Sequence, residues 1–164
     1  MSISLVRVDS RLMHGQIVTA WVPSLGIDLV LVTDDEVLAD EFERELMRST
    51  APPGLEVDVC GLDALAERVL REEGRRVLVL FRDVAAAVAS RSKGFRFDRL
   101  NLGNCHAGVG RYRVTDSVYL ESVDEELLRV LVREGVDVFC QALPAETPRL
   151  LFCEERSVGG AGAT

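Results

Sequence analysis

The chain contains two histidines, His14 and His106, and the first lies in a segment unusually rich in reactive side chains. Arg7-Val8-Asp9-Ser10-Arg11-Leu12-Met13-His14-Gly15-Gln16 sets an acid, two arginines and an imidazole within ten positions. An imidazole nitrogen can attack a phosphoryl group and release it again, because the phosphoramidate bond is energetic and histidine is an established covalent nucleophile. Arg11, three residues before His14, carries a planar guanidinium suited to two phosphate oxygens at once. Asp9 can orient His14 through the ring nitrogen that does not react, or brace Arg11, or cap a turn through its carboxylate. Gly15 permits close backbone approach at a helix start, and Gln16 offers a side-chain amide.

These residues need a scaffold that presents them together. Ile3 to Val8 reads as a first strand, and a helix follows from about His14 to Trp21, stopped near Pro23. The end of a strand in an open α/β sheet is where ligands bind, and a helix start offers unpaired N–H groups to an anion. Further strands are expected at Ile27–Val32, Leu55–Cys60, Val77–Phe81, Phe97–Leu102, Ser117–Leu120 and Val136–Gln141. Several are unbroken apolar runs, as strands buried on both faces should be. Helices are expected between them. One runs from Asp34 to Met47, with acids in its first turn and Leu38, Phe42 and Leu46 at four-residue spacing. Others cover Leu62–Glu72, Asp83–Ala89 and Val123–Arg133. Alternation of strand and helix implies parallel pairing with right-handed crossovers.

Other clusters carry weaker chemistry. Asp34 and Asp35 end the second strand on the same sheet edge and read best as a helix cap and first-turn acid, with no metal implied. Arg82 follows the fourth strand and is a candidate second phosphate contact. Gly103-Asn104-Cys105-His106-Ala107-Gly108-Val109-Gly110-Arg111 is a glycine-rich loop after the fifth strand. Gly103 and Gly108 allow backbone approach to a phosphate, and Arg111 could close over it. The order of a nucleotide P-loop is missing. His106 reads as a turn histidine. Cys60, Cys105, Cys140 and Cys153 have no C-x-x-C spacing and read as buried thiols, neither disulfides nor zinc ligands. Trp21, the sole tryptophan, reads as core or docking surface.

Composition narrows the field. A chain of 164 residues suffices for one domain, expected over 1–155 with a flexible tail over 156–164 rich in Gly and Ala. The net charge of −8 disfavours nonspecific nucleic-acid binding. No apolar run approaches the length needed to span a bilayer, and no signal sequence is visible, so a cytoplasmic location is expected.

The segment from Arg7 to Gln16, with Ile17-Val18-Thr19 and Trp21 after it, resembles the active-site segment of the IIB component of the mannose/fructose/sorbose-type sugar phosphotransferase system. Val32-Thr33-Asp34-Asp35-Glu36, Asn101-Leu102-Gly103-Asn104, Gly135-Val136-Asp137-Val138 and Gln141-Ala142-Leu143-Pro144 resemble its later motifs, so the likeness spans residues 3–148. The family often has an acid where Ser10 stands and another glycine where Asn104 stands. The resemblance implies an open, mainly parallel seven-stranded sheet with helices on both faces. It implies a phosphotransferase without a cofactor, in which His14 accepts a phosphoryl group from a IIA phosphohistidine and passes it to a sugar entering through a membrane IIC/IID permease. Arg11 and Asp9 would assist, with Gly15, Gln16, Gly103 and Arg111 around the phosphate, and Arg7, Arg11, Arg82 and Arg111 would give positive potential for docking. The alternative is a regulatory module of the same fold, phosphorylated at His14 but without a cognate permease. Members often associate, so a homo-oligomer is compatible with the resemblance.

Overall fold

Six strands run parallel through the molecule because helices or helical turns carry the chain back between them. The computed structural model describes residues 2–153, so the expected tail at 156–164 lies outside the described residues. The strands are β1 (Ser2–Asp9), β2 (Leu29–Thr33), β3 (Glu56–Cys60), β4 (Arg76–Phe81), β5 (Arg99–Asn104), β6 (Tyr112–Arg113), β7 (Tyr119–Leu120), β8 (Asp137–Cys140) and β9 (Arg149–Leu150). The main sheet has seven strands in the order β3-β2-β4-β1-β5-β8-β9, parallel except for β9. That is the fold class expected from the sequence. Its seventh strand differs: β7 pairs with β6 in a two-stranded ribbon, and Arg149–Leu150 closes the sheet instead.

The helices are α1 (Val22–Leu25), α2 (Asp35–Ala39), α3 (Glu41–Ser49), α4 (Leu65–Leu70), α5 (Val84–Ser92) and α6 (Ser122–Arg133), with a π-helical turn at Ile17–Trp21 before α1. Pro23 sits in the first turn of α1, where its missing N–H costs nothing, so the helical path runs past it to Gly26. The long helix expected from Asp34 to Met47 is two. Asp40 has extended backbone, and its carboxylate accepts from the Glu43 N–H, ending α2 and starting α3. After this break α3 lies at the margin of the core: none of its residues is fully buried, and half-buried Met47 packs against the apolar layer.

Two apolar layers flank the sheet. One packs Leu65 and Val69 of α4, Val84 and Ala87 of α5, and Leu128, Leu131 and Val132 of α6 against Val6, Val8, Leu100 and Leu102. The other packs Leu12, Met13, Ile17, Trp21, Val22 and Val37 against Val30, Val32, Leu78 and Leu80. The chain leaving β1 therefore covers one face, and the segments leaving its neighbours β4 and β5 cover the other. Adjacent parallel strands whose connections diverge open a crevice at their carboxyl ends, which is where α/β folds bind ligands. β1 stands at that point.

Candidate active site

Strand alternation sends Val6 and Val8 to one layer and Arg7 and Asp9 to the other. Both charged side chains are fully buried. Asp9 Oδ2 accepts from Arg7 Nη2 at 2.9 Å and Arg7 Nε at 3.2 Å. The same oxygen lies 2.8 Å from His14 Nε2. Asp9 Oδ1 accepts from the Arg11 backbone N–H at 3.1 Å and lies 3.4 Å from Arg11 Nε. One carboxylate thus holds two arginines and the histidine. Burial raises the Asp9 pKa, but the His14 hydrogen bond and the Arg7 charge outweigh it and hold the group below its ordinary value.

The turn that returns His14 to Asp9 is built by local bonds. Leu12 N–H donates to Asp9 O at 2.9 Å, and Ile17 N–H to His14 O at 3.0 Å. Leu12 adopts a left-handed φ of 53° although it is not glycine. Such a conformation costs about 1–3 kcal/mol. Its side chain is 1 % exposed, and full burial of a leucine contributes a comparable ~1.5–3 kcal/mol. Leu12 and Met13 are anchored in the core, so the imidazole next in sequence is presented from a fixed base. The His14 side chain keeps 14 % of its surface exposed, and that of Arg11 39 %. Arg11 Nη2 donates to Gln16 Oε1 at 3.1 Å, which makes Gln16 a partner of the arginine. A Cβ at Gly15 would meet nothing within 4 Å.

Arg7, expected on the surface as docking charge, is instead the buried keystone, a correction with a clear physical cause. Its guanidinium donates to Asn101 Oδ1 at 2.5 Å, Gln141 O at 3.0 Å and Ala142 O at 3.3 Å, besides Asp9. Its carbon lies 5.1 Å from the Trp21 ring, and Trp21 Nε1–H donates to Ala142 O at 3.0 Å. A fully satisfied guanidinium tolerates burial where a lone one would not. Burial lowers its pKa, and Asp9 pulls the other way. A Cβ on Gly103 would overlap this guanidinium, so the glycine makes room for Arg7. Gly103 is itself buried, and its expected contact with phosphate has no support in this geometry. The sequence signals for Arg7 were a charge inside an apolar strand at the same parity as Asp9, and a buried amide, Asn101, in another.

Ser10 N–H donates to Asn104 O at 2.9 Å, and its hydroxyl lies 3.2 Å from both that oxygen and Asn104 Oδ1. The loops after β1 and β5 therefore leave the same sheet edge side by side. Between them, Ser10, Arg82, Asp83, His106, Arg111 and Asp124 line a cavity of about 190 Å³. Arg111 is steered by Glu121 at 3.3 Å and Asp124 at 3.5 Å. Arg82 is held by Asp34 at 2.6 Å, while Asp34 Oδ1 accepts from the Val37 N–H at 2.8 Å, the capping role expected of it. Cys60, Cys105 and Cys140 are buried, and burial pushes the Cys105 thiol up to about 12 and Cys140 to about 11. Cys153, expected buried, is exposed because it lies beyond the last strand.

Residues 3–152 match the family described as PTS system sorbose subfamily IIB component. The chain belongs to that family. An N-acetylgalactosamine-specific phosphotransferase enzyme IIB component 2 of Escherichia coli K12 is 32% identical over 92% of this chain and 97% of its own length. A sorbose-specific EIIB component of Klebsiella pneumoniae is 32% identical over 83% of this chain and 84% of its own. The crystal structure of the IIBSor domain of the sorbose permease from Klebsiella pneumoniae superposes with a TM-score of 0.85, 26% identity, and coverage of 99% of this chain and 100% of that one. As a IIB component, this chain is a phosphotransferase of sugar uptake: it takes a phosphoryl group from a IIA protein and passes it to a sugar carried by a IIC/IID permease. Among the described residues, no helix is long and apolar enough to cross a membrane.

Proposed function

We propose that His14 is the phosphoryl acceptor of this IIB component and that Nδ1 is the atom that bonds phosphorus. The observation that carries this is the 2.8 Å contact between His14 Nε2 and Asp9 Oδ2. A carboxylate there fixes the tautomer with hydrogen on Nε2, leaving the Nδ1 lone pair for attack. In the forward step Nδ1 attacks the phosphorus of the IIA phosphohistidine, and the donor's P–N bond breaks with its electron pair returning to the donor imidazole. The phosphorylated His14 ring retains its Nε2–H and becomes cationic, and Asp9 stabilises it. The second transfer reverses the roles: a sugar hydroxyl oxygen attacks phosphorus and gives its proton to water, and the P–N bond breaks with its pair returning to Nδ1.

Arg11, exposed and aimed by Asp9 and Gln16, supplies a guanidinium to the transferring oxygens. Arg111, on the neighbouring loop, adds positive charge from the side of the cavity. The relatives are named for N-acetylgalactosamine and sorbose, so the cargo of this chain is a hexose or acetylated hexosamine, and the protein works at the cytoplasmic face of its permease. Phosphorylation by a cognate IIA domain, followed by mass spectrometry at alkaline pH, should find the label on His14. The ¹⁵N shifts of the phosphorylated ring then assign Nδ1. Label persisting on His106 in a His14→Ala protein would overturn the assignment, and a phosphorylated Nε2 would overturn the role of Asp9.

A further inference from the structure

The outer side of α2 and α3 carries apolar residues that the fold does not use. Leu38 at the end of α2 is 38 % exposed, Phe42 76 % and Leu46 51 %. Phe42 and Leu46, four positions apart on α3, share one face of that helix. Spaced at four, these three residues have the pattern of a core stripe, yet α3 turns only Met47 toward the core and leaves Phe42 and Leu46 outside it. Asp35, Glu36, Asp40, Glu41, Glu43 and Glu45 around them are all exposed. The two basic residues in the same stretch are engaged: Arg44 donates to Leu38 O, and Arg48 bonds Glu45 at 2.8 Å and Asp58 at 3.0 Å. The result is an aromatic–aliphatic strip inside an acidic rim.

Its place in the fold says which partner it meets. α2 begins at Asp34, at the carboxyl end of β2, and β2 runs parallel to β1 through β4. Val37 of α2 packs in the same layer as Leu12 and Trp21. The strip therefore starts at the same carboxyl edge of the sheet as His14 and lies on the side that Leu12 and Trp21 cover. His14 serves two partners in turn. A IIA donor brings a phosphorylated, anionic surface, which an acidic rim repels. Cytoplasmic loops of membrane proteins carry an excess of Lys and Arg, which an acidic rim attracts, whereas anionic lipid headgroups would be repelled by it.

We propose that Leu38, Phe42 and Leu46, with their acidic rim, form the docking surface for basic cytoplasmic loops of the IIC/IID permease, used in the second transfer and not in the first. This rests on the assignment of the chain as a permease-coupled IIB component. The test compares wild type, Phe42→Ser/Leu46→Ser and Glu41→Lys/Glu45→Lys, each checked for an unchanged melting temperature. Two quantities are read: the rate of phosphorylation by the cognate IIA domain in solution, and retention on inverted membrane vesicles containing the cognate IIC/IID proteins against vesicles lacking them. Both variants should be phosphorylated at the wild-type rate. Retention on permease vesicles should fall about tenfold or more, as truncation of an interface anchor does, and the charge-reversed variant should lose the salt sensitivity of the wild type. Retention equal to wild type would overturn the inference. So would slowed phosphorylation by IIA, which would assign the strip to the donor. A fall in the wild-type molecular mass on mutation, with retention unchanged, would assign it to a second copy of the chain. Failure of the wild type itself to prefer permease vesicles would remove the permease assignment, and the inference with it.

Discussion

Asp9 and Asp34 occupy matching places, each at the carboxyl end of a parallel strand, each paired with an arginine, and each held below its ordinary pKa. Their environments explain different uses. Asp34 divides its oxygens between a helix N–H and one half-exposed guanidinium, Arg82. Asp9 gives both oxygens to groups of the site, and one of its partners, Arg7, has no access to water. The first arrangement starts a helix. The second holds the His14 ring at Nε2, aims the Arg11 guanidinium and neutralises the buried Arg7 charge. Sequence type and strand position are the same; what separates the helix cap from the carboxylate proposed to position His14 is the residue two places earlier on the same strand face, which is Arg7 before Asp9 and Val32 before Asp34.

The contrast can be broken by substitution. Asp9→Asn leaves the Arg7 guanidinium buried without a counter-charge, and breaking a buried pair in this way costs about 3–5 kcal/mol. Chemical denaturation should show that loss, and phosphorylation should fall with it. Arg11→Lys keeps charge but loses the two-pronged geometry. The fold should be retained while the barrier to transfer rises by about 2–4 kcal/mol, measured as rates in both directions. Unchanged rates would make Arg11 surface charge only. Gly103→Ala forces a methyl into the Arg7 guanidinium and should destabilise by about 1–3 kcal/mol, the range for overpacking. If Gly103 served phosphate alone, stability would not move. Asp34→Ala should cost only about 1 kcal/mol, as loss of a helix cap does, with transfer rates preserved.

The same contrast has a pH signature. Burial alone would raise the Asp9 pKa, but His14 and Arg7 lower it further than burial raises it, so the folded value lies below the unfolded one. A depressed carboxyl contributes fully above the ordinary aspartate pKa of about 3.9 and loses that contribution as pH falls through the folded value. Acid unfolding of the wild type should therefore steepen below about pH 4, and Asp9→Asn should flatten that limb more than Asp34→Asn, because only Asp9 is tied to a charge with no solvent access.

The parallel strands were legible because burial on both faces leaves an apolar run with few alternatives; Leu29–Thr33 and Val77–Phe81 are buried along their whole length. β9 was not, since two exposed residues, Arg149 and Leu150, carry no pattern and pair only because β8 offers an open edge. The division of α2 from α3 was hidden by Asp40, which reads as one more acid in an acidic helix until its backbone turns extended. In the site, the grouping of Asp9, Arg11 and His14 was visible because all three share one loop. The cradle of Arg7 was not: Asn101 and Gln141 stand 94 and 134 residues away, and only tertiary pairing of β1, β5 and β8 brings them to it.

Trp21 gives this network an optical voice. It is the one tryptophan of the chain, 3 % exposed, with the Arg7 guanidinium over its ring and an N–H tied to Ala142 O. Excitation of indole therefore samples a single position, three contacts from His14 through Arg7 and Asp9. A phosphoryl group arriving on the imidazole should redistribute charge along that line, and the emission maximum and lifetime of the native protein should follow it in real time. The chain needs no attached dye for stopped-flow work, and a Phe in place of Trp21 supplies the dark control.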